Sequence, residues 1–102
     1  FDLITALDVL PYIGALAPLI SGIAQSLNPG GIAVFSSETL DADAFGGAPY
    51  IVGAEQRFAH SERYVRTVLE QAELDVLSLE PINVRLTEGQ PTPGHLVVAQ
   101  KA

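Results

Sequence analysis

His60, Asp8, Glu38 and Tyr12 are the side chains of this 102-residue chain whose type and setting bear most on chemistry. His60 is the natural general base, because an imidazole with a reference pKa of about 6.5 takes up a proton near neutrality. It also stands directly before Ser61, a good first residue for a helix, where a buried histidine can simply fasten the loop. Both readings stay open on the sequence alone. Asp8 and Glu38 each follow an apolar run, where a carboxylate either reaches a ligand or stays local: Asp8 capping backbone amides, Glu38 in solvent. Tyr12 is either a pocket-lining phenol or a ring that packs on a helix. His95 reads as a residue of a hairpin turn, structural or solvated. The two histidines and the scattered carboxylates lack the spacing of a metal site, so no metal is expected. Ser36, Ser37 and Ser61 lack the strand-to-helix elbow that activates a serine. The absence of cysteine removes a thiolate nucleophile and a disulfide frame.

Charge narrows the partners. Twelve acidic residues oppose five basic ones, for a formal charge of −7. Binding to a phosphate backbone needs Lys and Arg to displace counterions, so nucleic acid is not an expected partner. Arg57, Arg63 and Arg66 crowd one short stretch and read as a solvated helix face, with an anion-binding patch as the alternative. With 48% hydrophobic and 17% charged residues the chain is of the folding kind. No apolar run reaches the ~20 residues of a membrane span, so no membrane is expected either. Residues 1–102 form one unit, a single domain or less.

Leu3, Ile4, Ala6 and Leu7 are nearly continuous apolar residues, the pattern of a parallel strand buried on both faces. Leu16, Leu19, Ile20, Ile23, Ala24 and Leu27 then make one stripe of an amphipathic helix, with Ala15 as the expected N-cap. Asn28-Pro29-Gly30-Gly31 stops that helix, and Ile32 to Phe35 is a second buried strand. A strand, helix, strand unit with short links implies a parallel pair. Residues 39–59 read as a long mobile loop with a short strand at Tyr50 to Val52. Ser61 caps a second helix with the stripe Val65, Val68, Leu69 and Ala72. Glu73 stands where such helices end in a left-handed glycine. Residues 75–86 form a strand broken near Pro81, residues 88–94 a wide turn, and residues 96–100 a closing antiparallel strand.

This order of elements resembles the second half of the sheet in class I S-adenosylmethionine-dependent methyltransferases, whose last strand inserts antiparallel beside the fifth. The residues that carry the resemblance are Asp2-Leu3-Ile4, Asp8-Val9-Leu10 and Tyr12, the Leu27-Asn28-Pro29-Gly30-Gly31 turn, and Arg57-Phe58-Ala59-His60-Ser61-Glu62-Arg63-Tyr64-Val65-Arg66. The last segment is similar to that of bacterial methyltransferases that often carry tetratricopeptide repeats upstream. The likeness covers essentially the whole chain. It implies an α/β fold, the carboxyl-terminal half of a Rossmann-like methyltransferase sheet.

Ligands in open α/β sheets bind beyond the carboxyl ends of the strands, where strand order reverses. The resemblance places Leu7, Asp8 and Val9 on the floor of that crevice, beside the methionine part of S-adenosylmethionine. It makes Tyr12 and Glu38 candidates for the side of the unidentified methyl acceptor, and leaves His60 as the weak candidate for a base. The glycine-rich loop and the ribose-gripping acid lie earlier in that family, so the chain is expected to be a piece of a longer cytoplasmic enzyme, inactive alone. The alternative is a non-catalytic unit that forms a homodimer through the exposed strand of residues 1–10. A dinucleotide oxidoreductase fragment fits less well, because of the terminal antiparallel hairpin and the Asn-Pro-Gly-Gly turn.

Overall fold

The run of apolar residues at the start makes β1 (Leu3–Ala6), and the computed structural model pairs it parallel with β2 (Ile32–Glu38). The structure describes every residue except 8, 9, 41, 53–56, 88 and 89; at 11, 42, 84–87, 90 and 91 it describes the backbone alone. Between the strands lie a single 3-10 turn (Leu10–Tyr12) and α1 (Ala17–Ser26). The N-cap is Leu16 rather than Ala15, and it makes no side-chain capping bond. Proline in the first turn is tolerated there because those amides have no helical partner to lose. At the other end Gly30 adopts φ +83°, which reverses the chain into β2. Lys101 covers the helix terminus, donating from Nζ to the carbonyls of Ala24 and Leu27 at 2.8 and 3.0 Å.

After β2 come a 3-10 helix (Ala42–Phe45), β3 (Tyr50–Val52), β4 (Phe58–His60), α2 (Glu62–Gln71), β5 (Leu74–Thr87) and β6 (Gln90–Lys101). The main sheet has the order β1-β2-β6-β5, so the last strand runs antiparallel between β2 and β5. That is the arrangement the resemblance implies. β3 and β4 form a separate antiparallel pair inside what reads as loop. Ser61 caps α2 as expected, accepting from the Tyr64 amide at 3.1 Å. Glu73 follows α2 with φ +62°, a left-handed residue that costs about 1 kcal/mol without glycine. β5 is continuous through Pro81, and its irregularities fall at Val76/Ser78 and Asn83/Arg85 instead. An edge strand accommodates proline because one row of its amides has no ladder partner.

One core joins both helices to one face of the sheet: Ile20, Ile23 and Ala24 of α1, Val65, Val68 and Leu69 of α2, and Ala33, Phe35, Val97 and Ala99 between them. The opposite face carries Ile32, Val34, Leu96 and Val98, which are only half-buried. β1 was expected to be buried on both faces; its residues alternate exposed and half-buried, since helices cover one side only. Among the described residues no helix is long and apolar enough to cross a membrane.

Candidate functional site

Two loops meet above the carboxyl ends of β1 and β2, and Arg57 joins them. Glu38 ends β2 with its carboxylate turned inward; the residue is 6% exposed and Arg57 is 7% exposed. Arg57 Nε donates to Glu38 Oε2 at 2.7 Å, and Nη2 contacts the same oxygen. Nη1 donates to the Tyr12 hydroxyl at 2.6 Å, and the guanidinium carbon lies 4.8 Å from the centre of the Tyr12 ring. A fork-shaped cation suits this task, because three of its donors engage two different residues at once. The Tyr12 oxygen accepts from Arg57, which leaves its own proton to donate. Tyr12 is 63% exposed.

The segment after Arg57 clamps the rest of the β1–α1 connector. His60 Nε2 lies 2.7 Å from the Ile13 carbonyl and 3.0 Å from the Gly14 carbonyl. Both partners only accept, so Nε2 carries the proton and Nδ1 is bare. Burial pushes the His60 pKa below its ordinary value, against the two backbone hydrogen bonds that would raise it. The Tyr64 hydroxyl accepts from the Leu16 amide at 2.9 Å, and its ring stacks on His60 with centres 6.2 Å apart. Gly14 is enclosed by rings: a Cβ there would lie 2.7 Å from Tyr50 and 2.9 Å from Phe58. Residues 12, 13, 14 and 16 are thus each held by the 50–64 region.

The structure brings Tyr12 and Glu38 together. Leu7 lies at the end of β1, in the turn that follows it, and is 57% exposed. Asp8 and Val9 lie outside the described residues. His60 is wholly buried, and its bare Nδ1 is enclosed as well. Of its two open readings, this geometry is that of the fastener. Two expectations change outright. Arg57 is not part of a solvated helix face; it precedes β4 and is buried in an ion pair, while Arg63 and Arg66 on α2 are exposed. His95 is not in a turn; it lies within β6, opposite Ser37, and is 8% exposed. Arg57 is the residue joining Tyr12 to Glu38 that the sequence does not single out. Its only signal is distance from the helix, since Ser61 starts α2 four positions later.

No family model matches the chain, and no curated protein matches it in sequence. Solved structures do match it in shape. An S-adenosylmethionine-dependent methyltransferase from Methanosarcina mazei superposes with a TM-score of 0.78 at 14% identity, over 99% of this chain and 59% of that one. One from Mesorhizobium loti gives 0.69 at 19% identity, over 99% of this chain and 62% of that one. The N-methyltransferase NodS from Bradyrhizobium japonicum, in complex with S-adenosyl-L-homocysteine, gives 0.64 at 20% identity over 99% of this chain and 46% of that one. The chain therefore spans less than two thirds of the length of each.

Proposed function

From a fold that is that of the carboxyl-terminal half of a class I S-adenosylmethionine-dependent methyltransferase, we propose that this chain is part of such an enzyme, with S-adenosylmethionine as methyl donor and an acceptor still to be identified. The observation that carries the reading is the antiparallel last strand set between β2 and β5, with Leu7, Tyr12 and Glu38 gathered at one end of the sheet. A cytoplasmic setting is proposed with it, one with which the absence of cysteine is compatible.

The residues present fit the donor in part. The exposed Leu7 side chain offers an apolar floor at the end of β1. Among the described residues nothing is placed to grip a ribose or an adenine, so the 102 residues alone are proposed to be inactive. When bound, S-adenosylmethionine supplies an electrophilic methyl carbon, and what the protein adds is chiefly position. Tyr12 does the positioning here: its free proton donates to one lone pair of an acceptor oxygen and leaves another to face the methyl carbon. Arg57 fixes the Tyr12 hydroxyl, and Glu38 fixes Arg57. Titrating the chain with S-adenosylhomocysteine while recording backbone NMR tests this. Weak, millimolar binding with shifts confined to the end of β1 and the 3-10 turn is expected. Micromolar binding would mean a complete site within 102 residues, and silence at the end of β1 would remove the donor from that place.

A second reading rests on the free edge of β1. Among the described residues that strand is paired on one side only, and Phe1, Leu3 and Leu7 are 74%, 59% and 57% exposed. An apolar groove of about 580 Å³ lies between this edge and Leu19 and Ile23 of α1. Such an edge is a template for a second copy, giving a homodimer. Sedimentation that finds a monomer at every concentration would dismiss it.

A further inference from the structure

His95 and Ser37 face each other across the β2–β6 ladder, and neither side chain has a hydrogen bond among the described residues. Ser37 is wholly buried and His95 is 8% exposed. His95 Nδ1 and Ser37 Oγ are enclosed without partners. His95 Nε2 lies 3.6 Å from Glu62 Oε1, too far for a hydrogen bond. Buried polar groups in folded proteins are almost always bonded, so two opposed orphans call for an explanation.

Neither enclosed atom can meet a ligand; the atom left to do so is Nε2, on an imidazole that borders a groove. His95 lines an open groove of about 840 Å³ between Thr39, Leu40, Phe45, Gly47 and Ala48 on one side and α2 on the other, within the roughly 300–1,000 Å³ of small-molecule sites. The groove begins at Thr39, next to Glu38, at the same end of the sheet as Tyr12 and Arg57. Leu40 and Phe45 supply apolar wall, and Arg63 and Arg66 supply charge. Arg66 is answered by Glu62 at 3.1 Å, whereas the Arg63 guanidinium has no ion pair or hydrogen bond among the described residues. Glu70, the other acid of the lining, is seven residues along α2 from Arg63, about 10 Å at the helical rise. Burial holds His95 below its ordinary pKa, with Glu62 raising it and Arg66 lowering it. The ring is therefore neutral at neutral pH, able to donate or to accept.

We propose that this groove receives the anchoring end of the methyl acceptor and that the acceptor is a small organic acid, with its apolar body on Leu40 and Phe45, its carboxylate on Arg63, a hydrogen bond at His95 and its reacting end towards Tyr12, which lies outside the groove. Calling the occupant a methyl acceptor rests on the methyl-transfer reading; the groove and its ligand class do not. A groove of this volume takes a small molecule rather than a protein surface.

Three probes of one shape and different charge test the class: benzoate, benzylamine and benzyl alcohol, titrated into the chain without cofactor while the histidine rings are followed by NMR. Benzoate is expected to shift the His95 ring and raise its pKa, because a nearby anion favours the imidazolium. Arg63→Gln, on the exposed helix surface, is expected to weaken benzoate about tenfold, the worth of one charge-assisted contact. His95→Gln is expected to weaken it as well. An equal response to benzylamine or benzyl alcohol would overturn the ligand class. No response to benzoate, or one that survives Arg63→Gln, would overturn the site. No arm contains S-adenosylmethionine, so failure here leaves the donor titration standing. Benzoate binding beside a failed donor titration would leave an acid-binding groove with no methyl to receive.

Discussion

His60 and His95 are buried imidazoles in the same chain, both held below their ordinary pKa by desolvation and both with an enclosed Nδ1 that has no partner among the described residues. Their other nitrogens differ. His60 Nε2 serves two backbone carbonyls of the β1–α1 connector, while His95 Nε2 has no partner within hydrogen-bond length. Burial alone therefore does not tell a structural histidine from a ligand-facing one. The partner count at Nε2 does: two carbonyls of the connector engage His60, and no described atom within hydrogen-bond length engages His95 where it borders the groove. Substitutions in the first region should cost stability, and those in the second should cost binding and leave the fold intact.

The largest effect belongs to Arg57. Arg57→Ala leaves the Glu38 carboxylate buried without its cation, which typically costs about 3–5 kcal/mol. Urea unfolding should show the loss directly. Replacing both partners with apolar residues, Arg57→Met with Glu38→Leu, should restore most of it, because no charge is then stranded. A single substitution that unfolds at the parent midpoint would show that the pair is not holding the two loops.

His60→Ala comes next, with an expected loss of about 2 kcal/mol from two hydrogen bonds and the space the ring fills. His60→Gln should recover part of this, since its amide can donate to the same carbonyls. His95→Gln breaks no hydrogen bond and is near in volume, so it should cost under about 1 kcal/mol. Equal losses at the two positions would erase the contrast between the regions.

The pH dependence follows from the direction of the shifts. Each histidine has a folded pKa below its unfolded one, so between those values the unfolded chain binds more protons. Their contribution to stability is complete above about pH 6.5 and declines as the pH falls from there towards the folded pKa. Urea midpoints measured down to about pH 5 should fall, and the fall should be shallower in His60→Gln and in His95→Gln. A midpoint that rises on acidification would reverse the assigned direction.

Much of the fold is legible where one periodicity holds for a whole element. The stripe of Val65, Val68 and Leu69 behind Ser61 marks α2, and the Asn28-Pro29-Gly30-Gly31 stop separates α1 from β2. What stays hidden is made by contacts between distant segments. β4 has three residues and exists because β3 pairs with it. Pro91, Pro93 and Gly94 read as a turn, yet they lie in β6, whose first residues pair with β5 alone and so can leave one row of amides unpaired. Reading that arm as a turn is what put His95 in the wrong place. Tyr12 and Glu38 are visible singly, each just past an apolar run. Their union is not, because Arg57 reaches them from 45 and 19 positions away. Asp8 and Val9 lie outside the described residues.

The smallest effect tests the open region from its surface. Glu62 and Arg66 form an i, i+4 pair whose side chains are 51% and 44% exposed. Breaking it should cost less than about 0.5 kcal/mol, and the cost should shrink further in salt. The informative readout is His95, which both residues influence with opposite sign. Arg66→Gln removes a nearby positive charge and should raise the His95 pKa. Glu62→Gln removes the carboxylate that favours the imidazolium and should lower it. Both follow from an NMR titration of the ring. If His95 ignores both changes while stability stays level, α2 does not form the wall that its lining residues imply, and the groove loses the charges that give it a ligand.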